Sequence, residues 1–282
     1  GGLLQMTKSF SPLRYPGGKG QMYDTIVQIL QDNHLENCNY IEPFAGGAGV
    51  ALKLLSNGIV KSITLNDFDL SIYAFWYSIL YDTERFIRKI ITVEINMQEW
   101  KKQRIIQLEK ENVPLFDLGF STFFLNRTNR SGIIKGGVIG GKNQDSFYKM
   151  DCRFNKKRLI ALIEKISTLK DKITIYNLDA EDFIIQVKQK NSFYFIDPPY
   201  FCKGKQLYTN FFKPEDHLSL FKTIQKNLKN RSWMVTYDKC DEIYQIYKKQ
   251  KYRIMSLNYS AQNKKKAEEY MFYKNITIKE DV

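Results

Sequence analysis

The sequence predicts an α/β fold built around a mostly parallel sheet. Short segments rich in β-branched and aromatic residues, closed by acids or turn residues, alternate with segments of helical periodicity. The strand patterns, in chain order, are NYIEP (39–43), KSITLND (61–67), KITIYNLD, SFYFID, RSWMVTYD, YRIMSLNYS and EYMFYKN.

Helical patterns separate several of these strands. NYIEP leads into a glycine turn and then into VALKLLSNG, an apolar-rich pattern for which Gly58 is a plausible C-cap. Later, DHLSLFKTIQKNL (216–228) lies between SFYFID and RSWMVTYD. This order of strand, helix and strand is typical of a sheet whose strands are mostly parallel.

The alternation stops between about residues 72 and 170. That stretch has mainly helical patterns and then a basic, glycine-rich segment, in which five of the 16 glycines fall at 132–141, as in a hairpin or mobile loop. We therefore expect a catalytic domain formed by residues 8–72 and 171–282, with a mainly helical second domain containing a hairpin inserted at 73–170.

Composition limits the classes of function. The 282 residues are 43% hydrophobic and 14% aromatic, and no apolar run approaches the ~18 residues of a membrane helix. No signal-peptide pattern is visible, so we expect a cytoplasmic protein without a membrane partner. The four cysteines form no CxxC pair and there are only two histidines, which argues against a zinc or histidine-rich iron site and against Ser-His-Asp and Cys-His hydrolases. We expect chemistry that requires no metal.

The charge is unevenly distributed. The chain carries a net charge of +13, and nine Lys or Arg against two Asp lie between 126 and 158. An excess of this kind favours a polyanionic partner, although a charged helix face such as that of Lys156, Lys157 and Arg158 can equally be solvated surface.

Two glycine-bearing stretches lie early in the chain, RYPGGKG (14–20) and EPFAGGAGV (42–50). The first fails as a P-loop, because position 13 is Leu and position 20 is Gly. The second has the strand, glycine turn and helix order of a nucleotide site, with Asp67 placed to bind ribose hydroxyls. Leu52 stands where a dinucleotide fingerprint needs its third glycine. Taken alone, the glycines could simply permit a tight turn, and Asp67 could simply cap a helix.

The segment SFYFIDPPYF (192–201) is the most informative. Two prolines end the strand directly after Asp197 and fix the carbonyls that follow it. An exocyclic amino group, such as that of adenine, becomes nucleophilic when two acceptors draw its hydrogens toward tetrahedral geometry. Asp197 and the Pro198 carbonyl can be those acceptors, and Tyr200 can stack on the base. A methyl sulfonium is the fitting electrophile, since direct displacement needs neither metal nor histidine.

The order RYPGGK, EPFAGGAG, basic insertion and DPPY resembles the Dam-type (alpha-class) family of adenine-specific DNA methyltransferases over nearly the whole chain. The resemblance implies the class I S-adenosylmethionine-dependent methyltransferase fold, Rossmann-like, with an inserted target-recognition domain. It implies a catalytic motif formed by Asp197, Pro198, Pro199 and Tyr200. It also implies that S-adenosylmethionine is bound by Tyr15, Lys19, Phe44, Gly46, Gly47, Asp67, Asp179 and Asp197, and leaves as S-adenosylhomocysteine. The family's F-x-G-x-G is here Phe-Ala-Gly-Gly-Ala-Gly, a departure that affects the path of the turn.

LNRTNRSG (125–132) is similar to the family's DNA-contacting segment, which suggests Arg127, Arg130, Ser131 and Lys135 as contacts to double-stranded DNA. The resulting hypothesis is methylation of a flipped adenine in a short duplex site, by a monomer or weak dimer, as an orphan enzyme or beside a restriction endonuclease that acts separately. The alternatives are an RNA adenine methyltransferase and a catalytically silent DNA-recognition subunit.

Overall fold

The computed structural model describes residues 9–15, 19–202, 212–258 and 266–279, and within them the side chains of Lys19, Asn258 and Lys266 lie outside the description. None of the helices in this part of the chain is long and apolar enough to cross a membrane.

The described strands form a seven-stranded sheet with the strand order β3-β2-β1-β4-β5-β7-β6. Its strands are β1 Asn39–Glu42, β2 Ser62–Asn66, β3 Ile173–Tyr176, β4 Ser192–Ile196, β5 Ser232–Asp238, β6 Lys251–Asn258 and β7 Lys266–Lys274. The strands β2, β1, β4 and β5 are parallel neighbours, whereas β7 is antiparallel to both β5 and β6. The predicted mostly parallel α/β sheet is therefore confirmed.

Burial explains why these short segments form central strands. All five residues of β4 are buried, and six of the seven residues of β5 are buried. Strands covered on both faces have near-continuous apolar sequences, as SFYFI and SWMVTYD do. The pairing register places Ile196 opposite Val235, so β4 and β5 reach their carboxyl ends side by side.

The described residues also form helices of seven to fourteen residues. They are α1 Met22–Asp32, α2 Gly49–Ser56, α3 Leu70–Tyr81, α4 Thr83–Thr92, α5 Met97–Leu108, α6 Leu115–Thr128, α7 Lys156–Thr168, α8 Ala180–Gln186, α9 Pro214–Asn227 and α10 Asp241–Tyr247. Side-chain caps fix three of the starts: Asp69, Asn96 and Asn155 each accept a hydrogen bond from a backbone N–H in the first turn of α3, α5 and α7.

The chain forms two compact units. The first consists of Gly1–Pro16, Gly46–Leu52 and Phe68–Asn177, and the second of Gly17–Ala45, Lys53–Asp67 and Leu178–Val282. The first unit is mainly helical, and the second contains β1, β2 and β4 to β7.

The helical unit has a core of aromatic rings. Phe75 of α3 stacks on Phe123 of α6 with ring centroids 6.0 Å apart, and Phe86 of α4 meets both rings edge-on. The two backbones approach closely at Gly119, where an added Cβ would lie 2.4 Å from the carbonyl oxygen of Ala74. Glycine is therefore required there for α3 and α6 to pack as they do.

The glycine-rich segment 132–141 contains turns and one short contact between chain segments. Asn129 and Val138 form an isolated antiparallel bridge, and Gly132, Gly140 and Gly141 have positive φ angles. Ser131 also has a positive φ, of 55°. The predicted hairpin is thus reduced to a single bridge within the described residues, because these turns leave little extended backbone to pair.

Candidate active site

Acidic and hydroxyl side chains meet at the carboxyl ends of the parallel strands in the second unit. Asp197 follows β4 directly and is half-buried. Thr236, near the end of β5, donates a hydrogen bond of 2.8 Å from Oγ1 to Oδ1 of Asp197. Thr236 is fully buried, so this bond has little competition from water. The strand pairing therefore orients the carboxylate that the sequence analysis singled out.

The residues after Asp197 are also held in place. Pro198 is buried and Pro199 is half-buried. Tyr200 is only 9% exposed, and its hydroxyl donates to Oε1 of Glu269, which is itself fully buried in β7. The phenol ring is therefore fixed at its hydroxyl end, which limits how far it can turn toward a ligand.

Asp238 is the last residue of β5, and it binds the two residues that follow Tyr200 in the chain. Its Oδ1 accepts the N–H of Phe201 and its Oδ2 accepts the N–H of Cys202, both at 2.8 Å. A carboxylate that receives two backbone donors is a strong anchor. The segment from Asp197 to Cys202 is thus fixed by hydrogen bonds from both β5 and β7.

A second carboxyl lies at the end of β1. Glu42 is 5% exposed and accepts a hydrogen bond of 2.8 Å from the hydroxyl of Tyr40. Burial raises the pKa of Glu42 to about 8; the Tyr40 hydrogen bond opposes this shift and the charge of Asp197 adds to it. Glu42 is therefore largely protonated at neutral pH, so the strand ends carry less negative charge than their acids suggest.

The end of β2 contains a buried amide beside the predicted ribose acid. Asn66 is 1% exposed and bonds the backbone on both sides: Nδ2 donates to the carbonyls of Pro43 and Leu178, and Oδ1 accepts the N–H of Leu178. These bonds tie the turns after β1 and β3 to β2. Asp67 follows directly and is half-buried.

Two other predicted cofactor residues also lie in the second unit. Phe44 is half-buried, and its ring meets that of Phe212 edge-on with centroids 5.8 Å apart. Asp179 immediately precedes α8. Burial raises the pKa of Asp179 above its ordinary value, and the neighbouring Asp182 and Glu181 raise it further.

The glycine turn belongs to the first unit, where Tyr15 covers it. Gly46 has a φ of +49°, and a Cβ there would lie 2.6 Å from Cζ of Tyr15, whereas at Gly47 it would lie 3.3 Å from Cβ of Tyr15. Trp76 of α3 donates a hydrogen bond of 3.0 Å to the Gly46 carbonyl. Tyr15 remains 50% exposed. The turn is thus buried beneath an aromatic ring that is itself half exposed. The side chain of Lys19, the other predicted residue of RYPGGK, lies outside the described part of the chain.

The predicted DNA-contacting residues differ in exposure. Arg127 is 6% exposed, and its guanidinium donates to the carbonyl oxygens of Pro12 (2.7 Å) and Arg153 (3.2 Å). Burial lowers its pKa to about 9, and Arg158, Arg14 and Arg153 add to that shift. Arg130, Ser131 and Lys135 are exposed.

A basic cleft of about 430 Å³ lies in the same helical unit. It is lined by Trp100, Lys101, Arg104, Lys135, Gly136, Gly137 and Lys142. The Arg104 guanidinium lies 5.3 Å from the centre of the Trp100 ring. Trp100 in turn donates from Nε1 to Oδ1 of Asn129 at 2.7 Å. The cleft therefore carries positive charge, which suits a polyanion, whereas Trp100 is only 5% exposed.

Several residues of these sites were missed by sequence reasoning. Glu42, Asn66, Thr236, Asp238 and Glu269 are all polar and all buried. A signal existed for three of them, since Glu42, Asn66 and Asp238 each end a strand whose pattern the sequence predicts. Thr236 and Glu269 act through pairing between distant segments, for which local sequence gives no signal.

The chain is similar to a known protein family over most of its length. The family model described as D12 class N6 adenine-specific DNA methyltransferase matches residues 15–262. The type II methyltransferase M.MjaIII of Methanocaldococcus jannaschii is 24% identical over 232 residues, which cover 76% of this chain and 78% of that protein.

Two solved structures align with most of the chain at low identity. A putative RNA methyltransferase from Pyrococcus horikoshii has a TM-score of 0.45 and 8% identity, with 96% of this chain and 94% of that one covered. A putative methyltransferase from Escherichia coli has a TM-score of 0.39 and 12% identity, with 90% of this chain and 83% of that one covered.

Proposed function

The chain belongs to the family of D12 class N6 adenine-specific DNA methyltransferases, and from this premise we propose that it methylates the exocyclic amino nitrogen of a flipped adenine in a short duplex DNA sequence. The methyl donor is S-adenosylmethionine, which leaves as S-adenosylhomocysteine. The reaction requires no metal. The enzyme works as a monomer or weak dimer on DNA, either as an orphan or beside a restriction endonuclease that acts separately.

The orientation of Asp197 carries the proposal. Its Oδ1 accepts a hydrogen bond of 2.8 Å from Thr236, which holds the carboxylate at the end of β4, and in this proposal the carboxylate accepts one hydrogen of the adenine amino group. The Pro198 carbonyl accepts the second amino hydrogen, because the two prolines restrict the backbone at this point. These two acceptors localise the nitrogen lone pair, so that it attacks the methyl carbon as the carbon–sulfur bond breaks. The nitrogen then loses one proton to solvent.

The residues around the glycine turn fit the proposed cofactor. The Tyr15 ring fills the space that a side chain at Gly46 or Gly47 would need, and half of the Tyr15 side chain stays exposed for contact with a ligand beside the turn. Bound there, the cofactor supplies an electrophilic methyl group. In this proposal Tyr15, Phe44, Gly46, Gly47 and Lys19 line the site, Asp67 accepts hydrogen bonds from the ribose, and Asp179 lies beside the cofactor adenine.

The basic cleft supports the choice of DNA as substrate. Lys101, Arg104, Lys135 and Lys142 surround it, and phosphate contacts of this kind supply affinity without reading sequence. Arg130 and Ser131 are exposed on a turn and are free to reach base edges or the orphaned partner base. Arg127 holds this segment in place through its two bonds to backbone carbonyls.

The decisive experiment compares the wild-type chain with Asp197→Ala and Asp197→Asn. We expect both variants to lose transfer of labelled methyl groups to duplex DNA while they keep cofactor binding by calorimetry and DNA binding by fluorescence anisotropy. Sequencing DNA from cells that express the wild-type chain should reveal 6-methyladenine at one short sequence. Methylation retained by Asp197→Ala would refute the mechanism, and transfer to RNA in place of duplex DNA would refute the substrate.

A further inference from the structure

Two cysteines and an aspartate converge beside the catalytic segment. The Sγ atoms of Cys202 and Cys240 and a carboxylate oxygen of Asp238 all lie within 4.8 Å of one another. The cysteines are 38 positions apart and form no metal-binding spacing in the sequence. The parallel pairing of β4 and β5 brings the two cysteines together. Cys202 ends the segment 197–202 that follows β4, and Cys240 comes two residues after the end of β5.

The neighbouring structure holds these donor atoms in place. Asp238 is 2% exposed, and each of its oxygens accepts one backbone N–H, from Phe201 and from Cys202. A carboxylate oxygen has a second lone pair, so Asp238 can still bind a cation while it anchors the chain that carries Cys202. Cys240 directly precedes α10.

A fourth donor stands at the rim of this cluster. Oε2 of Glu242 lies 3.7 Å from Sγ of Cys202. Cys202 and Glu242 are exposed, whereas Cys240 is half-buried, so an ion from solvent can reach the cluster at Cys202. Two sulfurs and two carboxylates are a complete donor set for a four-coordinate ion.

Four donors of this kind suit zinc better than calcium or magnesium, which prefer oxygen alone. Zinc binds sulfur at about 2.3 Å and carboxylate oxygen at about 2.0–2.2 Å, so its ligands lie ~3.5–3.8 Å apart in a tetrahedron. The present separations require a contraction of roughly 1 Å, which small rotations of the side chains of Cys202 and Glu242 can supply.

Cation binding would release protons. A divalent ion displaces one proton from each thiol to solvent and binds the two thiolates, so its binding should strengthen as pH rises.

We propose that Cys202, Cys240 and Asp238, with Glu242, form a binding site for a thiophilic divalent cation of the zinc class. The site is separate from the methyl-transfer chemistry, which requires no metal. Because Asp238 also holds the N–H groups of Phe201 and Cys202, an ion bound there stiffens the chain directly after the catalytic motif.

The test uses the reduced 282-residue chain with ZnCl₂ in competition with a chelating dye. We expect one equivalent of zinc per chain, and an affinity reduced at least ~10–100-fold in Cys202→Ser and in Cys240→Ser. Cys152→Ser is the matched control, since Cys152 is exposed and lies outside the cluster. Zinc should also protect Cys202 and Cys240, but not Cys152, from alkylation. CoCl₂ should give sulfur-to-cobalt charge-transfer absorption that each serine variant weakens.

Circular dichroism and thermal unfolding of each serine variant separate loss of a ligand from loss of fold. The proposal is wrong if the wild-type chain takes up no zinc, or if the folded double variant binds it as tightly as the wild type. A Cys202–Cys240 disulfide in chain purified under reductant, with no zinc uptake after reduction, would also overturn it. None of these measurements depends on methyl transfer. Failure of the metal-site proposal can therefore be distinguished from failure of the proposed enzyme activity.

Discussion

Thr236 Oγ1 donates to Asp197 Oδ1 across 2.8 Å, from one parallel strand to the end of its neighbour. Thr236→Val keeps the shape of the side chain and removes the donor. A hydrogen bond to a charged group contributes about 1.5–3 kcal/mol, so we expect the single-turnover rate of methyl transfer to fall by roughly 10–100-fold. Rapid-quench measurement at saturating DNA and cofactor would test this.

Thr236→Ser is the matched control, since it keeps the hydroxyl and should recover most of the rate. Equal rates in the valine and wild-type chains would mean that Thr236 does not orient the carboxylate.

Tyr200 and Glu269 form a buried pair whose disruption should affect stability. Tyr200→Phe leaves the ring in place and removes the hydroxyl that donates to Glu269. Loss of one donor to a buried acceptor costs about 1–3 kcal/mol, so the free energy of unfolding should fall by that amount in urea titrations. Combining Tyr200→Phe with Glu269→Gln should cost less than the two single changes added together, because both changes act on the same hydrogen bond. Strict additivity would contradict this coupling.

Glu42 should make stability depend on pH. Its folded pKa of about 8 lies above the unfolded value of 4.5, so the folded chain binds more protons between these values. The free energy of unfolding should therefore decrease as pH rises from about 4.5 to 8, by up to ~1.4 kcal/mol per pH unit. Glu42→Gln should remove this slope and gain stability relative to wild type at pH 8. Unfolding curves for the two chains that stay parallel across this range would show that Glu42 is charged when folded.

His217 should act in the opposite direction. It is 2% exposed in α9, its Nδ1 lies 2.7 Å from the hydroxyl of Tyr237, and burial lowers its pKa to about 4, although Asp238 and Asp216 oppose the shift. The unfolded chain, with a value of 6.5, binds more protons between pH 4 and 6.5. Stability from this residue is present above pH 6.5 and is lost as pH falls toward 4.

Replacement of His217 by Gln should remove the His217 contribution to the loss of stability between pH 6.5 and 4. The comparison is made as the difference between variant and wild type at each pH, because Glu42 contributes an opposite slope over part of the range. NMR titration of the His217 ring gives an independent check, and a midpoint near 6.5 would contradict the assignment.

Arg127 and Arg130 should separate stability from DNA binding. Arg127 is buried and bonds two backbone carbonyls, so Arg127→Ala should lower the free energy of unfolding by about 2–4 kcal/mol. Arg130 is exposed, so Arg130→Ala should leave thermal unfolding unchanged and weaken binding to duplex DNA. We therefore expect Arg127→Ala to change the free energy of unfolding and Arg130→Ala to change the affinity for duplex DNA. A loss of stability in Arg130→Ala would contradict these separate roles.

The strands were predictable from sequence because burial and chain breaks are local signals. NYIEP and SFYFID correspond to β1 and β4, whose ends coincide with the prolines that cannot extend a sheet. The parallel sheet followed from the alternation with helices. The pairing partners did not, since Thr236 and Glu269 are brought to Asp197 and Tyr200 by sheet register over long sequence separations.

The sequence predicted which residue types form the candidate site better than it predicted how deeply each one is buried. An acid before two prolines indicates a presented carboxylate, but nothing in NYIEP distinguishes a charged Glu42 from a protonated one, because that depends on burial by other segments. Charge counting likewise grouped Arg127 with Arg130, although only the fold distinguishes a buried arginine from an exposed one.

The closeness of Tyr15 to Gly46 restricts how these two positions can change in evolution. A side chain at 46 must tolerate a positive φ and would also strike the Tyr15 ring, so a single replacement there has two penalties. Only a smaller residue at position 15 removes the second. We therefore expect the two positions to covary among relatives of this chain, with glycine at 46 wherever an aromatic ring is retained at 15.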